Sequence, residues 1–230
     1  MRQSIVRAIF SAVIMLAVAA CSGSSLMADK FPPVTDDGLE RIDSKRLDAV
    51  YWAEGASLAP YKKIMIADVN VAFRKNWQRD QNSSRSRVNA VDTQEMDRIR
   101  ATLADSFRDV FTKELQENGD YAIVDLAGPD VLLLQPEIVN LDVSAPDVMA
   151  PVSNQVFTMS AGEMTLRMDL VDSSTNALIG RAIDRKRSRQ TMPLELTNRV
   201  TNRAEAERMM RRWAGTLRNS LDDAQQSAVN

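Results

Sequence analysis

The fold class is indicated by residues 163–188, which read EMTLRMDLVDSSTNALIGRAIDRKRS. In the first ten of these residues every second side chain, from Met164 to Leu170, is apolar. This alternation is typical of an antiparallel strand with one buried face. Residues 173–176 are all polar and favour a turn, after which residues 177–188 return as the partner strand. The stretch therefore predicts a long β-hairpin.

Two long helices are predicted, one before and one after this hairpin. The first spans residues 92–118, where Asp92 can cap the first turn and Glu95 stands three residues on. Its apolar stripe has spacings of three to five residues and contains Met96, Ile99, Leu103, Phe107, Val110 and Leu115. The second helix is predicted from about residue 202 to 224, with an apolar face of Ala206, Met209, Met210, Trp213, Leu217 and Leu221.

Three further apolar stretches predict strands, at residues 63–73, 121–126 and 131–143. Pro136 in the third stretch indicates a bulge or an edge position, because proline cannot donate to a strand ladder. The polar residues 74–91 predict a loop. Helices and a hairpin-rich sheet in this order predict an α/β (α+β) fold, a two-layer sandwich with a mainly antiparallel sheet and helices on one side.

The N-terminus has the pattern of a lipoprotein signal peptide. Arg2 and Arg7 precede an uncharged run from Ala8 to Ala20. This run is shorter than the roughly 20 residues that span a membrane and has the length of a signal-peptide apolar region. The sequence LAVAAC at residues 16–21 resembles the lipobox of bacterial lipoproteins, in which the cysteine is lipidated and becomes the new N-terminus. The alternative is a buried N-terminal helix with a core cysteine, but the small polar residues after Cys21 favour lipidation.

This pattern divides the chain into four parts. They are a signal peptide (1–20), a lipidated tether (21–36), a single α/β domain (37–224) and a frayed tail (225–230). Acyl chains on Cys21 would hold the protein to the membrane, and stable anchoring requires more than one chain, which the multiple acylation of such lipoproteins supplies. By resemblance to the sorting of Gram-negative lipoproteins, Ser22 after the cysteine favours the outer membrane. We expect the body to lie in the periplasm, although the sequence leaves open whether it faces the cell exterior instead.

The composition excludes most catalytic and metal centres. The chain has no histidine and one cysteine, so it has no Ser-His-Asp or Cys-His catalytic set, no His-containing zinc site and no intramolecular disulfide. Glycine-rich phosphate-binding loops are absent. Asp172, Ser174 and Asn176 have the alternating spacing of a calcium loop, but Ala177 and Ile183 occupy the positions that need glycine and glutamate. We therefore expect no catalytic residues, no cofactor, no metal and no enzymatic activity.

Charge is unevenly distributed along the chain. Residues 181–218 contain eleven Lys and Arg against four Asp and Glu, whereas the whole chain has a net charge of −2. One interpretation is a surface for an anionic partner, such as an acidic envelope protein or an anionic polymer; nucleic acid is disfavoured by the location. The candidate residues lie on or just before the last predicted helix: Arg199, Arg203, Arg208, Arg211 and Arg212. The alternative is that these cations pair with acids elsewhere in the same chain.

Several segments carry a resemblance to a known family. They are residues 37–39, 47–51, 61–66 and 71–73, Trp77, residues 131–133 and the hairpin of residues 166–183. Together they resemble the bacterial lipoprotein family called domain of unknown function 3313. The resemblance covers about residues 37–220 and extends to envelope lipoproteins of the curli-secretion and penicillin-binding-protein-activator type. It implies an envelope location and an α/β sandwich, and it carries no catalytic residues.

Two functions are compatible with these features. The first is a non-enzymatic binding or adaptor domain for another envelope component, with an oligomeric state that the sequence leaves open. The second is a periplasmic domain that binds a small apolar or lipid-like ligand in a methionine-rich pocket. The candidate methionines are Met149, Met159, Met164, Met168 and Met192.

Replacing the cysteine tests the anchoring hypothesis. Cys21→Ser should abolish acyl labelling and leave uncleaved precursor, because the thiol is the only atom in the chain to which the lipid would attach. Metabolic labelling with a tagged fatty acid measures the effect. Normal labelling of the Cys21→Ser protein would contradict the hypothesis.

Overall fold

In the computed structural model, the hairpin predicted from residues 163–188 lies at the centre of an eight-stranded sheet. The structure describes residues 31–83, 85, 90–144, 157–158, 162–187, 195–196 and 199–229. The eight strands are β1 (Glu40–Ile42), β2 (Ala49–Trp52), β3 (Lys63–Ile66), β4 (Asn70–Phe73), β5 (Ala122–Ile123), β6 (Val131–Val143), β8 (Gly162–Asp172) and β9 (Leu178–Arg187). Two short strands, β7 (Phe157–Thr158) and β10 (Glu195–Leu196), pair separately.

Three helices complete the described part of the chain: α1 (Trp77–Asn82), α2 (Thr93–Glu117) and α3 (Arg199–Val229). Asp92 caps α2 as predicted, since its carboxylate accepts a hydrogen bond from the backbone N–H of Glu95 at 2.8 Å. Within the described residues, no helix has the length and apolar character that crossing a membrane would require.

The strand order is β1-β2-β9-β8-β6-β3-β5, with β4 also paired to β6. Strand β6 is antiparallel to β8 and parallel to both β3 and β4. All pairs on the other side of β6, from β8 to β1, are antiparallel. The prediction of a mainly antiparallel sheet is therefore confirmed.

One face of this sheet forms the core together with α2 and α3. The alternating side chains Met164, Leu166, Met168 and Leu170 of β8 are all buried. They belong to the same apolar cluster as the buried residues of β6 and of both helices, including Leu132, Leu134, Ile138, Phe107, Phe111, Met210 and Trp213. The residues between them, such as Arg167, lie on the opposite, polar face, where Arg167 approaches Glu137 and Asp169. This arrangement confirms the two-layer sandwich with helices on one side.

The single strand predicted over residues 63–73 is two strands. The parallel ladder on β6 is interrupted between Leu134, the last partner of β3, and Glu137, the first partner of β4. Pro136, which has no N–H to donate, lies at this interruption. Because β6 is paired on both sides, Pro136 lies in a central strand and not at an edge. The register of the β6–β8 pair shifts farther along the strand, between Val139 and Asp142, where Asn140 has a φ of 52°.

The predicted loop of residues 74–91 contains α1. Trp77 at its start is 1% exposed and stacks on Phe73 with ring centroids 4.2 Å apart. Its indole N–H donates to the carbonyl of Val143 at 2.8 Å. One buried aromatic residue thus holds a polar segment against the domain. A single residue of this kind forms no apolar periodicity, so the sequence pattern does not indicate the helix.

The C-terminal segment also differs from the prediction. Helix α3 continues to Val229 instead of ending near residue 224, so residues 225–229 are helical and not a frayed tail. The side-chain amide of Gln225 donates to the carbonyls of Ala59 and Tyr61 at 2.8 and 3.0 Å. These two hydrogen bonds stabilise the last turns of the helix against the chain before β3.

The segment that follows the predicted tether is held to the sheet by Arg181. This guanidinium is buried and binds both carboxylate oxygens of Asp37, at 3.0 and 2.7 Å, and both of Asp169, at 2.6 and 2.8 Å. Asp169 lies directly across from Arg181 in the β8–β9 pair. The hydrogen bond from Arg181 lowers the pKa of Asp37 from 3.8 to about 2.

This contact predicts a specific loss of stability in acid. Below about pH 3.8 the unfolded chain binds a proton at Asp37 that the folded chain does not, so the stabilisation from the pair is lost as the pH falls towards 2. Asp37 is 44% exposed, so we expect a contribution of about 1 kcal/mol or less. Urea unfolding of the wild type and Asp37→Asn at pH 6 and pH 2 measures it.

The two proteins should differ at pH 6 and converge at pH 2. The comparison cancels the contributions of the other carboxylates, which both proteins share. An equal difference in unfolding free energy at both pH values would contradict the assignment.

Candidate binding groove

A groove of about 570 Å³ lies between the first halves of α2 and α3. The ends of β6 and β8 form its floor through Leu141, Val143 and Met164, and the helices contribute apolar walls that include Leu103 and Met209. Sites for small molecules are concave, mainly apolar and about 300–1,000 Å³ in volume. The groove therefore has the size and the lining of a small-molecule site.

Two residues that line this groove each carry a buried polar atom with no hydrogen-bond partner among the described residues: the hydroxyl Oγ of Ser106 on α2 and the side-chain carbonyl Oδ1 of Asn202 on α3. Ser106 is only 1% exposed. Leaving a buried polar group unpaired costs about 1–3 kcal/mol. Both groups can therefore gain from a ligand that offers them a hydrogen bond.

Neither residue was predicted from the sequence, although a signal is present. Ser106 follows Leu103 by three residues, and Asn202 precedes Ala206 by four. Both spacings place a polar side chain on the apolar stripe of a helix. A polar residue at a stripe position is thus the pattern that could have indicated them.

The charged residues that line the groove are all paired. Glu95 and Arg98 form an ion pair with each other at 3.4 Å, and Glu163 binds Arg185 and Arg187 at 2.5 and 2.6 Å. Burial acts to raise the pKa of Glu163, but the hydrogen bonds from the two arginines outweigh it, so this pKa lies below its ordinary value. On α3, the lining residues Arg203, Glu205 and Glu207 pair along their own helix.

The proposed anionic-partner surface is largely neutralised in the same way. Arg203 and Arg211 approach Glu207 at 2.8 and 3.6 Å, and Arg208 binds Glu205. Arg212 is exposed, and no described carboxylate pairs with it. The side chain of Arg199 and the predicted lipid attachment site Cys21 lie outside the described residues.

The methionines that the sequence suggested as a pocket are separated. Met164 lines the groove, whereas Met168 lines a second cleft of about 530 Å³, which lies along the second half of α3 against β2 and β9. Met149, Met159 and Met192 lie outside the described residues. The groove between α2 and α3 is therefore lined by apolar residues of both helices and not by a cluster of these methionines.

The second cleft contains a buried carboxylate. Asp184 of β9 has a side chain that is 2% exposed. It accepts hydrogen bonds from the indole N–H of Trp213 at 2.6 Å and from the backbone N–H of Asp48 at 3.2 Å, and Lys186 pairs with it at 2.6 Å. Its partners come from α3, from the chain just before β2 and from β9 itself, so the packing of the domain accounts for this buried carboxylate.

The calcium-loop spacing at Asp172 is explained by a turn. The Asp172 carboxylate accepts hydrogen bonds from the N–H groups of Ser174 and Thr175 and from the hydroxyl of Tyr61. Asn176 completes the turn with a φ of 58°. These bonds, the backbone bond from Thr175 first, lower the pKa of Asp172.

Comparison with known proteins places the chain in a family. The family model described as "Protein of unknown function (DUF3313)" matches residues 33–217. The chain belongs to the DUF3313 family. This agrees with the resemblance found in the sequence, and no curated protein matches the chain.

The solved structures that match this DUF3313 protein share little sequence with it. One is a single-residue variant of the PelC dodecamer from Paraburkholderia phytofirmans, with 9% identity and a TM-score of 0.36, which covers 75% of this chain and 97% of PelC. Another is protein XCC0632 from Xanthomonas campestris, assigned to DUF330, with 13% identity and a TM-score of 0.43, which covers 77% of this chain and 93% of that protein.

The buried contact between Trp213 and Asp184 predicts a loss of stability. Trp213→Phe keeps an aromatic ring but removes the N–H donor, so the carboxylate loses a charged hydrogen bond, worth about 1.5–3 kcal/mol. Trp52→Phe is the matched control, since the Trp52 indole N–H donates at 2.8 Å to the neutral carbonyl of Ala56. Urea unfolding should show the larger loss for Trp213→Phe, and equal losses would contradict this role of Asp184.

Proposed function

We propose that this protein is a lipoprotein of the bacterial cell envelope, anchored to the outer membrane by acyl chains on Cys21, whose periplasmic domain binds a lipid-like ligand in the groove between α2 and α3. We further propose that the domain is not an enzyme, because its sequence has no histidine, has its one cysteine in the predicted lipobox and contains no Gly-x-Ser-x-Gly motif. The observation that carries the binding role is the pair of unpartnered polar atoms, Ser106 Oγ and Asn202 Oδ1, on residues of a groove whose lining surface is mainly apolar.

The combination of apolar walls and a few unpartnered polar atoms favours an amphiphilic ligand. Leu103, Leu141, Met164 and Met209 offer contacts to an alkyl chain, and burial of such a chain is favourable by about 0.8 kcal/mol per methylene group. The unpartnered atoms supply direction and specificity. In an envelope protein, molecules with these two properties are membrane lipids and their derivatives.

An adaptor role through the basic face of α3 has less support. Glu205 and Glu207 pair with three of the candidate arginines. Exposed ion pairs of this kind are worth little to stability, about 0–1 kcal/mol each, but they reduce the positive potential that would attract an anionic partner. The groove therefore offers the stronger basis for binding.

Site-specific crosslinking in cells tests this proposal with the full-length chain. A photoreactive amino acid at Thr102, an exposed residue that lines the groove, should give adducts with the mass of a lipid when the protein is purified and analysed by mass spectrometry. The same photoreactive residue at Ala101 is the matched control, because Ala101 is exposed on the same helix and is not part of the groove.

Lipid adducts at position 102 but not at position 101 would support the proposal. Adducts with a protein at position 102 would overturn ligand binding in favour of the adaptor role. Equal adducts at both positions, or none at either, would also contradict a ligand site in the groove.

A further inference from the structure

We infer that the ligand of the groove is an uncharged amphiphile, a long-chain molecule whose polar end carries a hydroxyl or amide hydrogen-bond donor, and not a fatty-acid anion or a phosphate-bearing lipid. This inference rests on the proposed function and narrows the ligand class for the same groove. Two observations carry it. The unpartnered oxygen of Asn202 can only accept a hydrogen bond, and the charged residues that line the groove are paired with other described residues.

Asn202 requires a donor from the ligand. Its side-chain N–H₂ donates to the backbone carbonyl of Ser144 at 2.9 Å. Because a carbonyl can only accept, this bond identifies the other terminal atom of the amide as the oxygen. The unpartnered Oδ1 is therefore an acceptor, and a ligand that bonds to it directly must supply an N–H or O–H.

Ser106 is compatible with the same ligand. A hydroxyl can donate one hydrogen bond and accept others, so Ser106 Oγ can bind a donor or an acceptor. It places no restriction on the ligand beyond the presence of a polar group. The donor requirement thus comes from Asn202 alone, and the two residues can be tested separately.

The charges around the groove disfavour an anionic ligand. Both lining arginines are already engaged, Arg98 with Glu95 and Arg203 with Glu207. The other charged lining residues are carboxylates with their own cationic partners, as described above. A carboxylate or phosphate in the groove would find no free cation among the described lining residues, would face Asn202 Oδ1 without a proton to donate, and would lose its hydration.

Two photoreactive probes of equal length test the inference. One is hexadecanol and the other palmitic acid, each with a diazirine at the same chain carbon, and each is added at pH 7.5 to the purified full-length lipidated protein in the same detergent. Mass spectrometry of the labelled peptides measures how much probe attaches to residues of α2 and α3 that line the groove. We expect the alcohol to label these residues at least about fivefold more than the acid, which corresponds to one hydrogen bond of about 1 kcal/mol.

The acid probe adds a pH test. The carboxyl of a fatty acid has an ordinary pKa of about 4–5, and the apolar surroundings of detergent raise this pKa because they disfavour the charged form. The acid therefore regains its O–H between pH 7.5 and pH 4.5, and labelling by palmitic acid should rise over this range. Labelling by hexadecanol should stay constant over the same range. A fatty acid that labels the groove equally at both pH values would contradict the donor requirement.

Two substitutions locate the hydrogen bonds. Ser106→Ala and Asn202→Ala should each lower groove labelling by the alcohol about fivefold. Ser106→Ala removes an unpartnered buried hydroxyl, so its unfolding midpoint in urea should be equal to or higher than that of the wild type, which excludes unfolding as the cause. Ser220→Ala is the matched control, since the Ser220 hydroxyl lies on α3 and bonds to the carbonyl of Thr216.

The outcomes separate this inference from the proposed function. Equal or stronger labelling by the acid at pH 7.5 would overturn the uncharged-ligand inference and leave the groove as a lipid site. Failure of both probes to label the groove, while they label other parts of the protein, would overturn the proposed function itself. Unchanged labelling of Asn202→Ala would show that Asn202 does not select the ligand.

Discussion

The burial of one face of the sheet beneath α2 and α3 is the constraint on which the rest of the structure depends. Strand β8 places Met164, Leu166, Met168 and Leu170 on that face, and each buried side chain of this size contributes about 1.5–3 kcal/mol. Because strand side chains alternate, a shift of one residue would move all four to the polar face. Both long helices must therefore cover the same face, and the groove lies where their first halves meet above the ends of β6 and β8.

The uneven charge along the sequence is balanced by ion pairs in the folded chain. Arg181, on the polar face of β9, binds Asp37 from a position 144 residues earlier in the chain. Arg218 of α3 approaches Glu114 of α2 at 3.4 Å. Within α3 the pairs are local, as between Arg203 and Glu207. The basic last third of the sequence is thus largely neutralised by carboxylates in space, which leaves the groove without a free charge among the residues described.

Local sequence signals predicted the elements whose causes are local. The cap at Asp92 set the start of α2, and the alternation from Met164 to Leu170 set the central hairpin. Elements that depend on distant partners were missed. Strand β2 exists because it pairs with β9, where a Cβ on Gly180 would lie 2.4 Å from the Trp52 ring, so only glycine allows this close approach. Helix α1 depends on Trp77, whose N–H partner is 66 residues away.

The candidate site was predicted only in outline for the same reason. An apolar pocket that includes Met164 follows from the sequence pattern, and the lining from α2 and α3 follows from their stripes. The role of Asn202 does not, because the orientation of its amide depends on the carbonyl of Ser144, 58 residues away in the sequence. An unsatisfied atom is a property of the whole packed structure, and no local pattern records it.

The behaviour of other helical hydroxyls distinguishes Ser106 from an ordinary buried serine. Thr216, Ser220 and Ser227 of α3 each donate to the backbone carbonyl four residues earlier, at 2.8–3.0 Å. This is the usual way in which a hydroxyl within a helix satisfies itself. Ser106 makes no such bond although it is the most deeply buried of the four. Alanine at this position would be a better helix former and would remove the unpaired group. The Ser106 hydroxyl therefore lowers the stability of the fold, as residues of binding sites often do, since stability and function often compete at the same residue.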